Sequence, residues 1–163
     1  MHEERSVSAS AAKVQQALRD HGLPAEVVEM PASTRTAQEA AAAIGCSVGQ
    51  IVKSLVFRGV TTGRAILVLA SGQNRVHEKT LEHLVGEPIA RATPEFVRDA
   101  TGYAIGGVPP LGHDHVLPVW MDRDLLQYDQ IWAAAGTPFA VFAITPTELQ
   151  RVTGAAVVDV KAG

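Results

Sequence analysis

Gln50-Ile-Val-Lys-Ser-Leu-Val-Phe57 and Ala65-Ile-Leu-Val-Leu-Ala70 are two apolar, β-branched runs joined through Arg58-Gly-Val-Thr-Thr-Gly63. A short connection with glycine near both ends predicts an antiparallel hairpin. The elements around it are short as well. Strands are expected at Ala25–Met30, Pro88–Ala92, Val116–Met121, Gln130–Ala134, Phe139–Ile144 and Ala156–Val160. A helix is expected over Ala9–His21, with Ser8 or Ser10 as its N-cap and Gly22 at its end. Thr36-x-x-Glu39 is a capping box that opens an Ala-rich helix ending at Gly45, and Ser47-x-x-Gln50 repeats the pattern for one turn. Further helices are expected near Glu78–Val85, from Thr93-Pro94-Glu95 to about Ala100, and from Thr145-Pro146-Thr147-Glu148 to about Val152. No long crossover helix recurs between strands. The expectation is therefore an α/β (α+β) fold with a mixed, largely antiparallel, β-barrel-like sheet flanked by helices, rather than a doubly wound parallel sheet.

The 163 residues contain no repeat and no Pro/Gly/Ser linker, so one domain spanning 1–163 is expected. Hydrophobic residues are 47% and charged residues 19%, a globular composition. No apolar run reaches the ~18 residues of a membrane span, and Met1-His-Glu-Glu-Arg5 lacks the basic and apolar regions of a secretory leader. A soluble, cytoplasmic protein with no membrane partner is expected. The single cysteine, Cys46, excludes an intramolecular disulfide framework and a multi-cysteine zinc site. Ten Arg and four Lys oppose 17 Asp+Glu for a net charge of −3. That balance excludes a strongly basic nucleic-acid binder, while leaving room for a small, local contact with nucleic acid; no DNA partner is expected.

Lys53 interrupts an apolar strand, where alternation places it on the face of Ile51, Leu55 and Phe57. A lysine there points to solvent, snorkels, or serves a site. The loop Gly102-Tyr-Ala-Ile-Gly-Gly-Val-Pro-Pro-Leu-Gly-His113 holds four Gly and two Pro in twelve residues. Such a loop is a structural turn or a rigid display of backbone N–H groups. It is neither a dinucleotide fingerprint nor a P-loop. His113 and His115 flank Asp114 without a third ligand at convincing spacing, which reads as a solvated loop pair rather than a metal site. Cys46 has no nucleophile motif around it, and no G-x-S-x-G elbow is present.

Lys53 in Gln-Ile-Val-Lys-Ser-Leu-Val-Phe, followed by Gly106-Gly-Val-Pro-Pro110 with Thr-Gly-Tyr before it and Leu-Gly after it, resembles the YbaK/prolyl-tRNA-synthetase-associated editing-domain family. The resemblance spans nearly the whole chain. It implies that family's fold and hydrolysis of mischarged aminoacyl-tRNA, most often tRNA(Pro) carrying Ala or Cys. It implies the mischarged tRNA acceptor end as partner, with prolyl-tRNA synthetase as a further one, and no metal and no cofactor. The length leaves no room for a synthetase, so action in trans is expected. The resemblance assigns catalytic roles to Lys53, Gly106 and Gly107, and substrate binding to Ser54, Tyr103, Val108, Pro109, Pro110, Gly112 and His113. His113 stands where the Cys-editing members often carry Gln, and Ser54 where they often carry Thr, which leaves the amino acid open.

The chemistry follows from charge development. Attack of water, or of the neighbouring ribose hydroxyl, on the ester carbonyl places negative charge on oxygen. One fixed donor stabilises such an oxyanion by roughly 2.7–4 kcal/mol. Gly106 and the backbone around Gly107 are the donors expected, with Lys53 holding phosphate or ribose or polarising the ester; Arg58, Arg64 and Arg75 read first as solubilising surface charge, with supplementary contact to the acceptor end as the alternative. The alternative function is a catalytically inactive module of the same fold that binds a tRNA end or an aminoacyl-nucleotide.

Overall fold

Three threonines open three helices in the way their contexts dictate. Thr36 Oγ1 accepts from the Glu39 N–H (3.1 Å) while the Glu39 carboxylate accepts from the Thr36 N–H (3.2 Å). Thr145 and Glu148 repeat the exchange, and Thr93 Oγ1 accepts from Phe96 N–H (3.1 Å) ahead of Pro94. Each cap satisfies N–H groups that a helix start leaves orphaned, which contributes about 1 kcal/mol.

The structure, a computed structural model, describes residues 2–161, with side chains described from Ala9. The elements in chain order are α1 (His2–Asp20), β1 (Val28–Glu29), α2 (Ala37–Ile44), β2 (Ile51–Gly59), β3 (Ala65–Ser71), α3 (Glu78–Val85), β4 (Ile89–Arg91), α4 (Pro94–Thr101), β5 (Val119–Asp122), β6 (Ile131–Ala134), β7 (Ala140–Ile144), α5 (Pro146–Thr153) and β8 (Ala156–Val158). Short 3-10 turns lie at Val48–Gln50 and Arg123–Gln127, the second unforeseen from the sequence.

The β2–β3 hairpin forms in full, from Val52 opposite Ser71 to Arg58 opposite Ala65. Around it the strands order as β1-β7-β6-β2-β3-β5-β8, with β4 also on β2. β6 on β2, β5 on β3 and β8 on β5 are parallel pairs, and the other four are antiparallel. The sheet is mixed and helix-flanked, as expected, but its path is open, so "barrel-like" describes it only loosely.

Two other expectations are corrected. α1 runs through Ser8 and Ser10, so neither is its N-cap. The strand at Ala25–Met30 shrinks to Val28–Glu29, because α1 takes the backbone before it: Gln15 Nε2 donates to Ala25 O (3.0 Å) and Val27 N–H donates to Gln15 Oε1 (2.8 Å). The reading of Met1–Arg5 falls outside the residues whose side chains are described.

Both faces of the hairpin are apolar. Val52, Leu67 and Leu69 pack with α1 residues Val14 and Leu18, α4 residue Val97 and α5 residue Leu149. Phe57, Ile66, Val68 and Ala70 pack with Leu81 and Val85 of α3, while Ile51 meets Ala37, Ala40 and Ala41 of α2. At ~25 cal/mol per Å² of apolar surface removed from water, this two-sided burial is the main stabilising contribution. Among the described residues no helix is long and apolar enough to cross a membrane.

Candidate active site

The site arises where the sheet divides. One edge of β2 pairs with β3 along its length, but the other is shared. β6 takes Ile51 and Val52, β4 takes Phe57 to Gly59, and residues 53–56 have neither. At the two ends of the hairpin, Gly72 N–H donates to Ile51 O (2.7 Å) and Gly59 N–H donates to Arg64 O (2.9 Å). These bonds fix the odd-numbered residues of β2 as those bonded to β3. The main-chain N–H and C=O of Ser54 and the N–H of Val56 therefore point into the gap, while the Val56 C=O closes the ladder to β4 beside the Phe57–Arg91 pair.

A solvent-open cleft of about 560 Å³ occupies the gap, within the range of ligand sites. Its two sides differ because β2 side chains alternate. On one side lie Lys53, Leu55 and Phe57 with Arg75, Glu78 and Arg91; on the other lie Ser54 and Val56, facing the side packed by Val97 and Val108. Ser54 Oγ is buried and has no hydrogen-bond partner among the described residues.

Lys53 is held rather than free. Its Nζ donates to the Asn74 carbonyl. Asn74 is itself anchored, since its Nδ2 donates to Asp122 Oδ2 (2.8 Å) and to Asp124 Oδ2 (2.8 Å). Asp122 is fully buried and also accepts from Ser71 N–H (3.0 Å) and Asp124 N–H (2.9 Å). Burial pushes the Lys53 ammonium below the ordinary lysine range; the Asp122 charge opposes that shift and Arg75 adds to it. Removing the like charge in Arg75→Gln is expected to move the Lys53 titration upward. With four lysines in the chain, NMR titration of the Lys side chains reads this directly. A midpoint unchanged between wild type and Arg75→Gln would show that Arg75 does not act on Lys53.

The glycine loop supplies the second wall. Gly107 N–H donates to Ala104 O (3.1 Å), closing a turn whose third residue is Gly106 at φ 97°. With φ positive only at that third position, this is a type II turn, which favours glycine there. The Gly106 N–H is left without a partner among the described residues, and Gly106 lines the cleft. Gly107 does not serve as a donor: its N–H is spent in the turn and its carbonyl accepts from Gly136 N–H (2.9 Å).

Of the ten residues singled out from the sequence, Lys53, Ser54, Gly106 and Val108 line the cleft. Gly107, Tyr103, Pro109, Pro110, Gly112 and His113 lie behind it and brace the loop. Tyr103 is buried, its hydroxyl donates to Gly112 O (2.9 Å), and burial pushes its pKa up to about 12. His113 meets the Tyr103 ring edge-on and bonds Pro109 O through Nε2 (2.7 Å). Burial lowers the His113 pKa, consistent with a neutral ring donating its Nε2 proton. Lys13 of α1 pairs with Asp114 and sits 4.8 Å from the Tyr103 ring centroid, tying helix to loop.

Among the supplementary arginines, Arg75 lines the cleft, whereas Arg64 is bound to Glu87 (3.0 Å) and Arg58 stands outside the lining. Arg91, Glu78, Ala92, Val97 and Ile105 were not found from the sequence. Arg91 and Ala92 reach it through the pairing of β4 with the far end of β2, and the others through the packing of α3, α4 and the glycine loop. Arg35, before α2, covers Gly106, such that a Cβ there would lie 3.0 Å from its Nε.

A fixed lysine, spare main-chain groups and guanidiniums on one open cleft can receive an anionic ligand. The chain belongs to the aminoacyl-tRNA editing domain family, whose model matches residues 31–152. A solved structure described as a candidate trans-editing enzyme for prolyl tRNA synthetase superposes with a TM-score of 0.89 at 57% identity, covering 94% of this chain and 98% of that one. YwhH of Bacillus subtilis, an uncharacterised protein, is 33% identical over 126 residues, 77% of this chain and 80% of that protein. A proline–tRNA ligase of Nitratidesulfovibrio vulgaris is 33% identical over 103 residues, 62% of this chain but 18% of the ligase.

Proposed function

We propose that the chain acts as one cytoplasmic unit that hydrolyses mischarged aminoacyl-tRNA in trans, with tRNA(Pro) carrying Ala or Cys as its substrate and prolyl-tRNA synthetase as a partner. The observation that carries this reading is that Lys53 and Gly106, whose N–H has no partner among the described residues, line one cleft at the open edge of β2.

The ester lies across that edge. Water adds to its carbonyl carbon, the oxyanion is met by the Gly106 N–H and by the Lys53 charge, and the bond from carbonyl carbon to ribose oxygen breaks. The ribose oxygen takes a proton, so the products are the free amino acid and a tRNA with its terminal hydroxyl restored. Half-buried Asn74, anchored on the buried Asp122, holds Lys53 in place before substrate arrives, so little reorganisation is left for the reaction. No protein nucleophile is required, and Cys46 stands apart from the cleft lining.

The test is single-turnover deacylation of tRNA(Pro) charged in turn with Ala, Cys, Ser and Pro. Release of Ala or Cys with Pro left intact is expected. Equal release of Pro would overturn the editing role, and binding without any release would replace it with a tRNA-end binding module.

A further inference from the structure

We propose that Arg75 and Arg91 form a backbone-phosphate subsite for the single-stranded 3′ nucleotides of the RNA, which run along the Lys53 side of β2. The inference rests on the function proposed above and states where its RNA lies.

Direct cross-strand partners share a face, and Arg91 stands opposite Phe57, so Arg91 projects on the same side of the sheet as Lys53. Four residue steps along the strand lead from Lys53 to Phe57, about 13 Å at ~3.3 Å per step. Arg75 sits at the other end, next in sequence to Asn74, whose carbonyl holds Lys53. A ligand extended along the strand can touch both side chains where they leave the backbone. Inorganic phosphate or a single nucleotide at Lys53 reaches one end only, while a short polynucleotide with a phosphate at each step reaches both.

Neither arginine forms an ion pair among the described residues, although Glu78 lines the same cleft. Between them, the N–H and C=O of Ser54 and the N–H of Val56 offer two donors and an acceptor to bases and ribose. The other side of the strand presents Val56, Val97 and Val108 with the single buried hydroxyl of Ser54 and no cation, which favours the cationic side for a polyanion.

Binding of an uncharged RNA hairpin ending in single-stranded CCA, followed by fluorescence anisotropy across a salt series, tests the subsite without turnover. The same hairpin without its tail is the second arm. Arg75→Gln and Arg91→Gln are each expected to weaken tailed RNA about fivefold. Each is also expected to flatten the dependence of log affinity on log salt by about 0.7. Arg151→Gln, an exposed position on α5 with the same charge change, is expected to do neither. Arg91→Lys is expected to keep the salt slope. An equal loss with Arg151→Gln, an unchanged slope, or the same loss on the tailless hairpin would overturn the subsite. A protein that binds tailed RNA through Arg91 yet releases no amino acid keeps the subsite and refutes the function. Editing that does not depend on either arginine does the reverse.

Discussion

Lys53→Ala lowers the single-turnover deacylation rate by two to three orders of magnitude, about what removal of one oxyanion-stabilising donor costs elsewhere. The fold survives the change. Burial holds the Lys53 pKa below its unfolded value, so the native state carries an unfavourable charge throughout the neutral range, where both states are protonated. That penalty fades as pH rises through the lowered native pKa, because the unfolded chain then binds more protons. Alanine removes the penalty, and Asp122 keeps its bonds from Ser71, Asn74 and Asp124. Circular dichroism and the melting temperature are therefore expected to stay close to wild type while the rate collapses. Lys53→Arg does not restore the rate, since a planar fork cannot sit where a compact ammonium meets the Asn74 carbonyl. A rate within threefold of wild type for Lys53→Ala would remove the lysine from the mechanism.

Gly107→Ala damages the enzyme by a different route. The residue contributes no free N–H, but an added Cβ would lie 2.8 Å from both Cα and N of Thr137 and 2.9 Å from the Gly136 carbonyl carbon. These are backbone atoms, so the turn must move as a body. Overpacking of this kind costs about 1–3 kcal/mol, which for a chain of this length lowers Tm by roughly 3–10 °C. Gly106 moves with it. A shift near 1 Å in a positioning element costs on the order of a hundredfold in rate, so the loss is expected in kcat at temperatures where the variant is fully folded. A variant that melts early but turns over normally would show that the turn does not position the ester.

Much of the fold could be read from local signals. The hairpin, the three threonine caps and the glycine stops depend on neighbours a few residues apart, and each formed where expected. The Ala25–Met30 strand failed because its competitor, Gln15, lies on another element. Openness of the sheet was equally out of reach, since closure depends on which edges β1 and β8 leave unpaired.

The site divides in the same way. Lys53 stood out because a charged residue broke an apolar alternation. Arg91 gave no such sign: it is an ordinary arginine in a short strand, and only long-range pairing brings it to the cleft. Within the glycine loop, the sequence showed a tight, rigid segment but not which amides were spent. One hydrogen bond, Gly107 to Ala104, separates a donor from a brace. Tyr103 and His113 brace the loop, Tyr103 beside Lys13 of α1 and His113 on Pro109 O, rather than touch the cleft.

The break in the β2 ladder also bears on self-association. Unpaired strand edges are templates on which other chains add, and proteins usually blunt them with charge, bulges or covers. Here the unpaired stretch covers only residues 53–56 and is recessed between β4 and β6, with Lys53, Arg75 and Arg91 beside it. An incoming strand would find too few consecutive groups to pair with and would have to displace one of the flanking strands. A bare edge is thereby kept available to a small polar ligand and closed to another polypeptide.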